Sequence, residues 1–236
     1  MTAGSPPRVA SNIDTILFDA GGTLVFPDCS RVANLIGCKG DDCADRLAES
    51  WYRTIYAYDE LLLVTGKDWR GSPGDGMWTW FWNRMAEAAG LPPVSEETAA
   101  DIVESNRVRN LWDQVNQEAE PLLEHLSGRY RLGVVSNSDG TVAATLSRLG
   151  LSRWFSVIVD SEVVGVSKPD PGIFRHALEA LDSVPERTVY VGDSFALDVR
   201  GASNAGVHPI LLDPHGLHRY RGVQCIRALS ELKQLY

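Results

Sequence analysis

The segment "ILFDAGGTLV", Ile16 to Val25, ends an apolar run on a single aspartate and follows it with two glycines and a threonine. The run from Thr15 to Phe18 is short, β-prone and bounded by turn residues, the pattern of a buried parallel strand. A carboxylate just past the C-terminal end of such a strand stands where open α/β sheets bind ligands. Gly21 and Gly22 allow a sharp turn and close approach of the backbone to a ligand. An Asx turn closing the strand would account for Asp19 equally well, so the remainder of the chain has to separate a turn from a site.

That remainder alternates regularly from Arg131 onward. "RLGVVSN" reads as a strand with a polar end, and "GTVAATLSRLG" as a helix closed by Gly150. "FSVIVDS" is a further strand, and "PGIFRHALEALD" a helix with Pro171 near its start. "RTVYVGDS", "ALDVRGASNAG" and "HPILLD" continue as strand, helix ending at Gly206, and strand. Strands separated by helices of this length imply parallel crossovers. The expected fold is therefore α/β, a doubly wound (Rossmann-like) parallel sheet that includes the opening strand.

Between residues 28 and 117 the pattern becomes helical. "DDCADRLAESWYRTIYAYDELLL", "WTWFWNRMAEAAG" and "SEETAADIVESNRVRNLWDQV" carry apolar residues at helical spacing. Ser95, followed by Glu96 and Glu97, suits an N-cap with an acidic first turn. Six of the seven tryptophans fall in this insert, so it should build its own core. The stripe Trp78, Trp80, Phe81 and Trp82 reads as core ahead of pocket lining. The expected organisation is a loose tail over 1–12, an α/β core over 13–27 and 118–236, and an inserted α-helical cap over 28–117. The Gly/Pro-rich segment "VTGKDWRGSPGDGM" within it reads as a loop at the cap's lip.

Composition narrows the function classes. The chain has 236 residues, and no apolar run is long enough to cross a bilayer. The N-terminal segment lacks the apolar stretch of a secretory signal. Cys29, Cys38, Cys43 and Cys225 show no CxxC pair and no zinc-ligand spacing, which suits reduced structural thiols and a cytoplasmic location. A net charge of −9 argues against nucleic-acid and membrane partners. It leaves room for a small anionic substrate, because a local cation can reverse the field inside a pocket. Oligomeric state, a homodimer included, is left open.

Four strand ends carry polar residues in chain order: Asp19, then Ser136 and Asn137, then Lys168 in "SKPDPGIF", then Asp193 and Asp198 in "VGDSFALD". Each alone could be a helix cap or a solvated loop residue. All of them at one edge of one sheet make a site.

With these motifs in order, the chain resembles the haloacid dehalogenase-like (HAD) hydrolase superfamily, whose helical cap follows the first motif as the insert does here. The resemblance implies that Asp19 is a nucleophile taking up a phosphoryl group, and that Ser136 and the Asn137 backbone N–H hold phosphate oxygens. It implies that Lys168 neutralises phosphate and nucleophile. It also implies magnesium on Asp19, Asp193 and a backbone carbonyl of the first loop, at Gly21, with Asp198 as a further metal carboxylate held directly or through another ligand. The chemistry agrees, since phosphoryl transfer is mainly positioning and charge neutralisation and Mg²⁺ prefers oxygen ligands.

One position departs from the family's phosphatases, which usually place a second aspartate, a general acid and base, where this chain has Gly21. A carbonyl there can still bind a metal, but no carboxyl can protonate a leaving alkoxide, a contribution of about two to four orders of magnitude in rate. The leading expectation is a magnesium-dependent phosphatase acting on a small phosphorylated metabolite through an aspartyl-phosphate, either a sluggish one or one that uses an aryl or acyl phosphate with a good leaving group. The alternatives are a dehalogenase-like enzyme, a phosphonatase-like enzyme, for which Lys39 and Lys67 are the only cap lysines, and a catalytically impaired phosphate-binding protein.

Overall fold

In the computed structural model the opening strand lies in the middle of the sheet. The structure describes residues 12–66 and 76–236. The strands are β1 (Thr15–Phe18), β2 (Val25–Pro27), β3 (Trp112–Val115) and β4 (Arg131–Ser136), then β5 (Val157–Asp160), β6 (Thr188–Gly192), β7 (His208–Leu212) and β8 (Gln224–Ile226). Six form one sheet in the order β5-β4-β1-β6-β7-β8, with every neighbouring pair parallel. From β1 the chain builds outward through β4 and β5 on one side, then returns to build β6, β7 and β8 on the other. This is the doubly wound α/β fold expected from the alternating pattern, and β1 beside β6 is its switch point. Helices Pro171–Ala180 and Arg200–Asn204 pack on the sheet through a core containing Leu17, Val135, Ile173, Phe174, Tyr190 and Ala202. Burial of β1 on both faces explains its uninterrupted apolar run.

The chain divides into two compact units, one of residues 12–26 and 115–236, the other Pro27–Gln114. The second contains helices Cys29–Leu35, Cys43–Thr65, Met77–Ala88 and Glu96–Val108. Ser95 caps the last of these by accepting from the Thr98 N–H at 3.1 Å, as its sequence context suggests. Its C-terminal carbonyls are met from within the unit. The Arg31 guanidinium donates to the backbone oxygens of Ser105, Arg109 and Asn110. Phe81 and Trp82 are buried, and Trp51 meets Phe81 edge-on, so these rings form core. Trp78 is 41% exposed and lies at its margin.

Several expectations need correction. The spacing of "NLWDQV" predicts more helix, but Trp112–Val115 is a strand, paired with β2. The helix stops because Asn106 and Asn110 accept the backbone N–H groups of Leu111 and Trp112 through their side chains. Helix Cys29–Leu35 and strand β8 carry too short a pattern to be read in advance. Cys38 and Cys43 are not free thiols: they form a disulfide with Cα atoms 6.3 Å apart. Gly37, at φ +71°, turns the chain just before Cys38, and a tight turn between the two cysteines is closed by the Cys43 N–H donating to the Gly40 carbonyl. The thiol argument for a reducing compartment therefore falls, and only Cys29 and Cys225 are free. Nearly all of the expected tail, and residues 67–75 of the expected cap loop including Lys67, lie outside the described residues. Among the described residues no helix is long and apolar enough to cross a membrane.

Candidate active site

Asp19 follows β1 directly, and its N–H continues the ladder by donating to the Val191 carbonyl of β6 at 2.8 Å. The chain then closes on itself. The Ala20 carbonyl accepts from Leu24 N and Val25 N, and Gly22 N donates to the Val25 carbonyl. Gly22 holds φ +80°, which a side chain would oppose, whereas Gly21 is outside the left-handed region. Backbone geometry alone thus fixes the turn and carries Asp19 at its start.

Lys168 reaches this carboxylate from the loop after β5. Its Nζ donates to Asp19 Oδ1 at 2.5 Å, to Asp198 Oδ1 at 2.7 Å and to the Tyr190 hydroxyl at 3.0 Å. All four side chains are buried. The Lys168 backbone is clamped as well: the Asn137 side-chain amide donates to its carbonyl at 3.0 Å and accepts from its N–H at 2.8 Å. Asn137 follows Ser136, the last residue of β4, so one residue ties two of the expected motifs together.

Asp193 follows β6, and Asp198 comes from a π-helical turn, Phe195–Val199. The sequence pattern predicts an ordinary helix there. The wider turn forms as the Asp198 carboxylate folds back to accept from Ser194 N at 2.8 Å while its other oxygen takes Lys168. Gly192 makes this fit, because a Cβ at that position would occupy the space of the Asp198 carboxylate.

Ligand oxygens of Asp19, Asp193 and Asp198 lie within 4.8 Å of one another. Burial pushes the Asp19 carboxyl up to about 6, with Lys168 pulling against this and Asp198 adding to it. Lys168 is held in its charged form, since Asp19 and Asp198 together outweigh its burial. Three buried carboxylates against one ammonium leave a local excess of negative charge. An all-oxygen, acidic donor set of this kind suits Mg²⁺. Both oxygens of Asp198 already have partners within the protein.

The structure thus brings Asp19, Lys168 and Asp198 into contact, places Asp193 in the same cluster, and sets Ser136 and Asn137 at the neighbouring strand end. Two further contributors emerge only from the structure. Tyr190 reads in the sequence as one more packing residue of a β-prone strand. Asp160, buried at the end of β5, accepts from the N–H groups of Gly140, Val142 and Glu162, and so fixes the loop that follows Asn137. The signal for Asp160 is present in the sequence, one more acidic strand end in "FSVIVDS", but its role is a cap.

Comparison with known proteins places this arrangement. The glyceraldehyde 3-phosphate phosphatase of Methanothermobacter thermautotrophicus is 43% identical over 94 residues, 39% of this chain and 41% of that one. The phosphoserine phosphatase of Thermus thermophilus is 35% identical over 136 residues, 56% of this chain and 53% of that one. The chain thus matches only about half the length of these relatives. Among solved structures, the magnesium-bound HAD-hydrolase YfnB of Bacillus subtilis superposes with a TM-score of 0.67 at 22% identity, covering 95% of this chain and 99% of that one. The profile of the haloacid dehalogenase-like hydrolases matches residues 13–206, most of the chain and every motif residue named above. The chain belongs to the haloacid dehalogenase-like hydrolase family.

Proposed function

We propose that the protein is a magnesium-dependent phosphatase that moves a phosphoryl group from a small phosphorylated metabolite to Asp19 and then to water. The observation that carries this reading is the buried Asp19–Lys168 pair set against Asp193 and Asp198. Two curated relatives are phosphatases by name, which supports the same class.

In this reading an Asp19 oxygen attacks phosphorus, and Lys168 lowers the repulsion between carboxylate and phosphoryl anion. Ser136 and the Asn137 N–H hold phosphoryl oxygens. Magnesium would be held by Asp19, Asp193 and the Gly21 carbonyl, with Asp198 acting through Lys168, and it would supply further charge neutralisation. Because Gly21 offers no carboxyl, the leaving group departs without a proton from that position. Aryl and acyl phosphates are therefore the expected substrates ahead of alkyl phosphates.

Phosphate release from p-nitrophenyl phosphate, acetyl phosphate and a simple alkyl phosphate, each with magnesium and with EDTA, tests the reading. Turnover should need magnesium, favour the first two substrates by about a hundred-fold, and vanish in Asp19→Asn. Turnover by Asp19→Asn at the unaltered rate would give the nucleophile's role to another group. A carbon–halogen reading is kept in view by Gly21, since a halide leaves without a proton. Halide release from a 2-haloacid, with no phosphate release from any ester, would put it first.

A further inference from the structure

We propose that Tyr190 is a positioning residue for Lys168, an inference that rests on the phosphoryl-transfer reading above. An ammonium group has three protons. Those of Lys168 have three buried acceptors, Asp19 Oδ1, Asp198 Oδ1 and the Tyr190 hydroxyl. The two carboxylates set where the nitrogen lies. The tyrosine fixes its rotation, so that one proton stays directed at the nucleophile.

The hydroxyl is itself fixed from three sides. It lies 3.0 Å from the Val135 carbonyl of β4, 3.0 Å from Asp198 Oδ1 and 3.0 Å from Lys168 Nζ. Its single proton serves the carbonyl or the carboxylate, and a lone pair receives the lysine. The ring is anchored independently, edge-on against Phe174 at 4.9 Å in the core under the sheet. Phenylalanine would fill this core equally well and would spare the cost of burying a hydroxyl. The oxygen is thus explained by the lysine and not by packing. At 1% exposure Tyr190 is too deep to touch a substrate, and it acts through Lys168.

The test is Tyr190→Phe, assayed with magnesium on p-nitrophenyl phosphate and by titration with beryllofluoride, a mimic of a phosphorylated carboxylate followed by ¹⁹F NMR. The expected result is a folded protein whose kcat falls about ten-fold with KM within about two-fold, and whose affinity for beryllofluoride weakens. A purely structural tyrosine would lower Tm and leave the kcat of the folded protein unchanged, and that result overturns the proposal. So does a loss expressed in KM alone, which would assign the hydroxyl to substrate binding. Collapse of the fold in Tyr190→Phe also overturns it, by assigning the hydroxyl to stability. If the unaltered protein neither releases phosphate nor binds beryllofluoride, the phosphatase reading fails first and the proposal falls with it.

Discussion

Asp19 is held at a cost to the fold. Its carboxyl is pushed up to about 6 from an ordinary value of 3.8, chiefly by burial. A group whose folded pKa lies above its unfolded value contributes stability that is fully present below about 4 and is lost as pH rises through about 6. In metal-free protein, Asp19→Asn removes that loss while Lys168 keeps Asp198 as its partner. The variant should melt higher than the unaltered protein in EDTA, by an amount that grows from about pH 4 to pH 6, then levels off, and reaches about 1–3 kcal/mol. If magnesium binds as proposed, it should erase the advantage, because a cation on the folded form would favour the Asp19 carboxylate. Equal melting of the two proteins across that range would show that Asp19 carries no such strain. Asp19 was legible in the sequence because a charged residue that ends a β-prone run is seldom there for packing, and Lys168 because it stands in the next motif at the same sheet edge. Tyr190 was not, because a tyrosine within "RTVYVGDS" is an ordinary strand residue until its oxygen is seen on Lys168.

The junction of β6 with the π-helical turn shows what a single missing methyl group allows. Gly192 ends the strand, Asp193 enters the carboxylate cluster, and the turn folds Asp198 back over the Gly192 Cα. Gly192→Ala should therefore displace Asp198, destabilise the fold by about 1–3 kcal/mol, and lower turnover by freeing Lys168 from one of its two carboxylates. Its measure is Tm together with kcat, and an alanine variant with both unchanged would show that the turn relaxes without loss. The strand-helix alternation from Arg131 to Asp213 was legible because each crossover carries its own turn residues and helix period. The π turn was not, since its width comes from Asp198 reaching Ser194 and Lys168, contacts that no local pattern encodes. Strand β3 was hidden for a related reason, as two asparagine side chains end the helix within a segment whose apolar spacing still looks helical.

The two compact units suggest how the whole chain is assembled. The change of period and the tryptophans mark the helical insert in the sequence, expected over 28–117, but not the strand pairing where the chain leaves the α/β unit and returns. There β2 and β3 pair, with Asn116 N on the Leu24 carbonyl at 2.9 Å and Asp28 N on the Leu111 carbonyl at 2.8 Å. Rising numbers on one strand meet falling numbers on the other, so the two passages run antiparallel and a short turn could join them. The α/β unit also has its own buried core from Leu17 to Val207, drawn from both of its segments. Replacing residues 28–111 with an Asn-Gly turn should thus leave an α/β protein that melts cooperatively, with Tm within about 5 °C of the parent. It should still gain Tm on adding magnesium, because Asp19, Asp193 and Asp198 all belong to that unit. Circular dichroism and thermal melts with and without the metal decide the matter. A non-cooperative melt would mean that the α/β unit cannot stand without the helices. A cooperative melt with no response to magnesium, where the parent does respond, would mean that the metal needs groups from the excised segment.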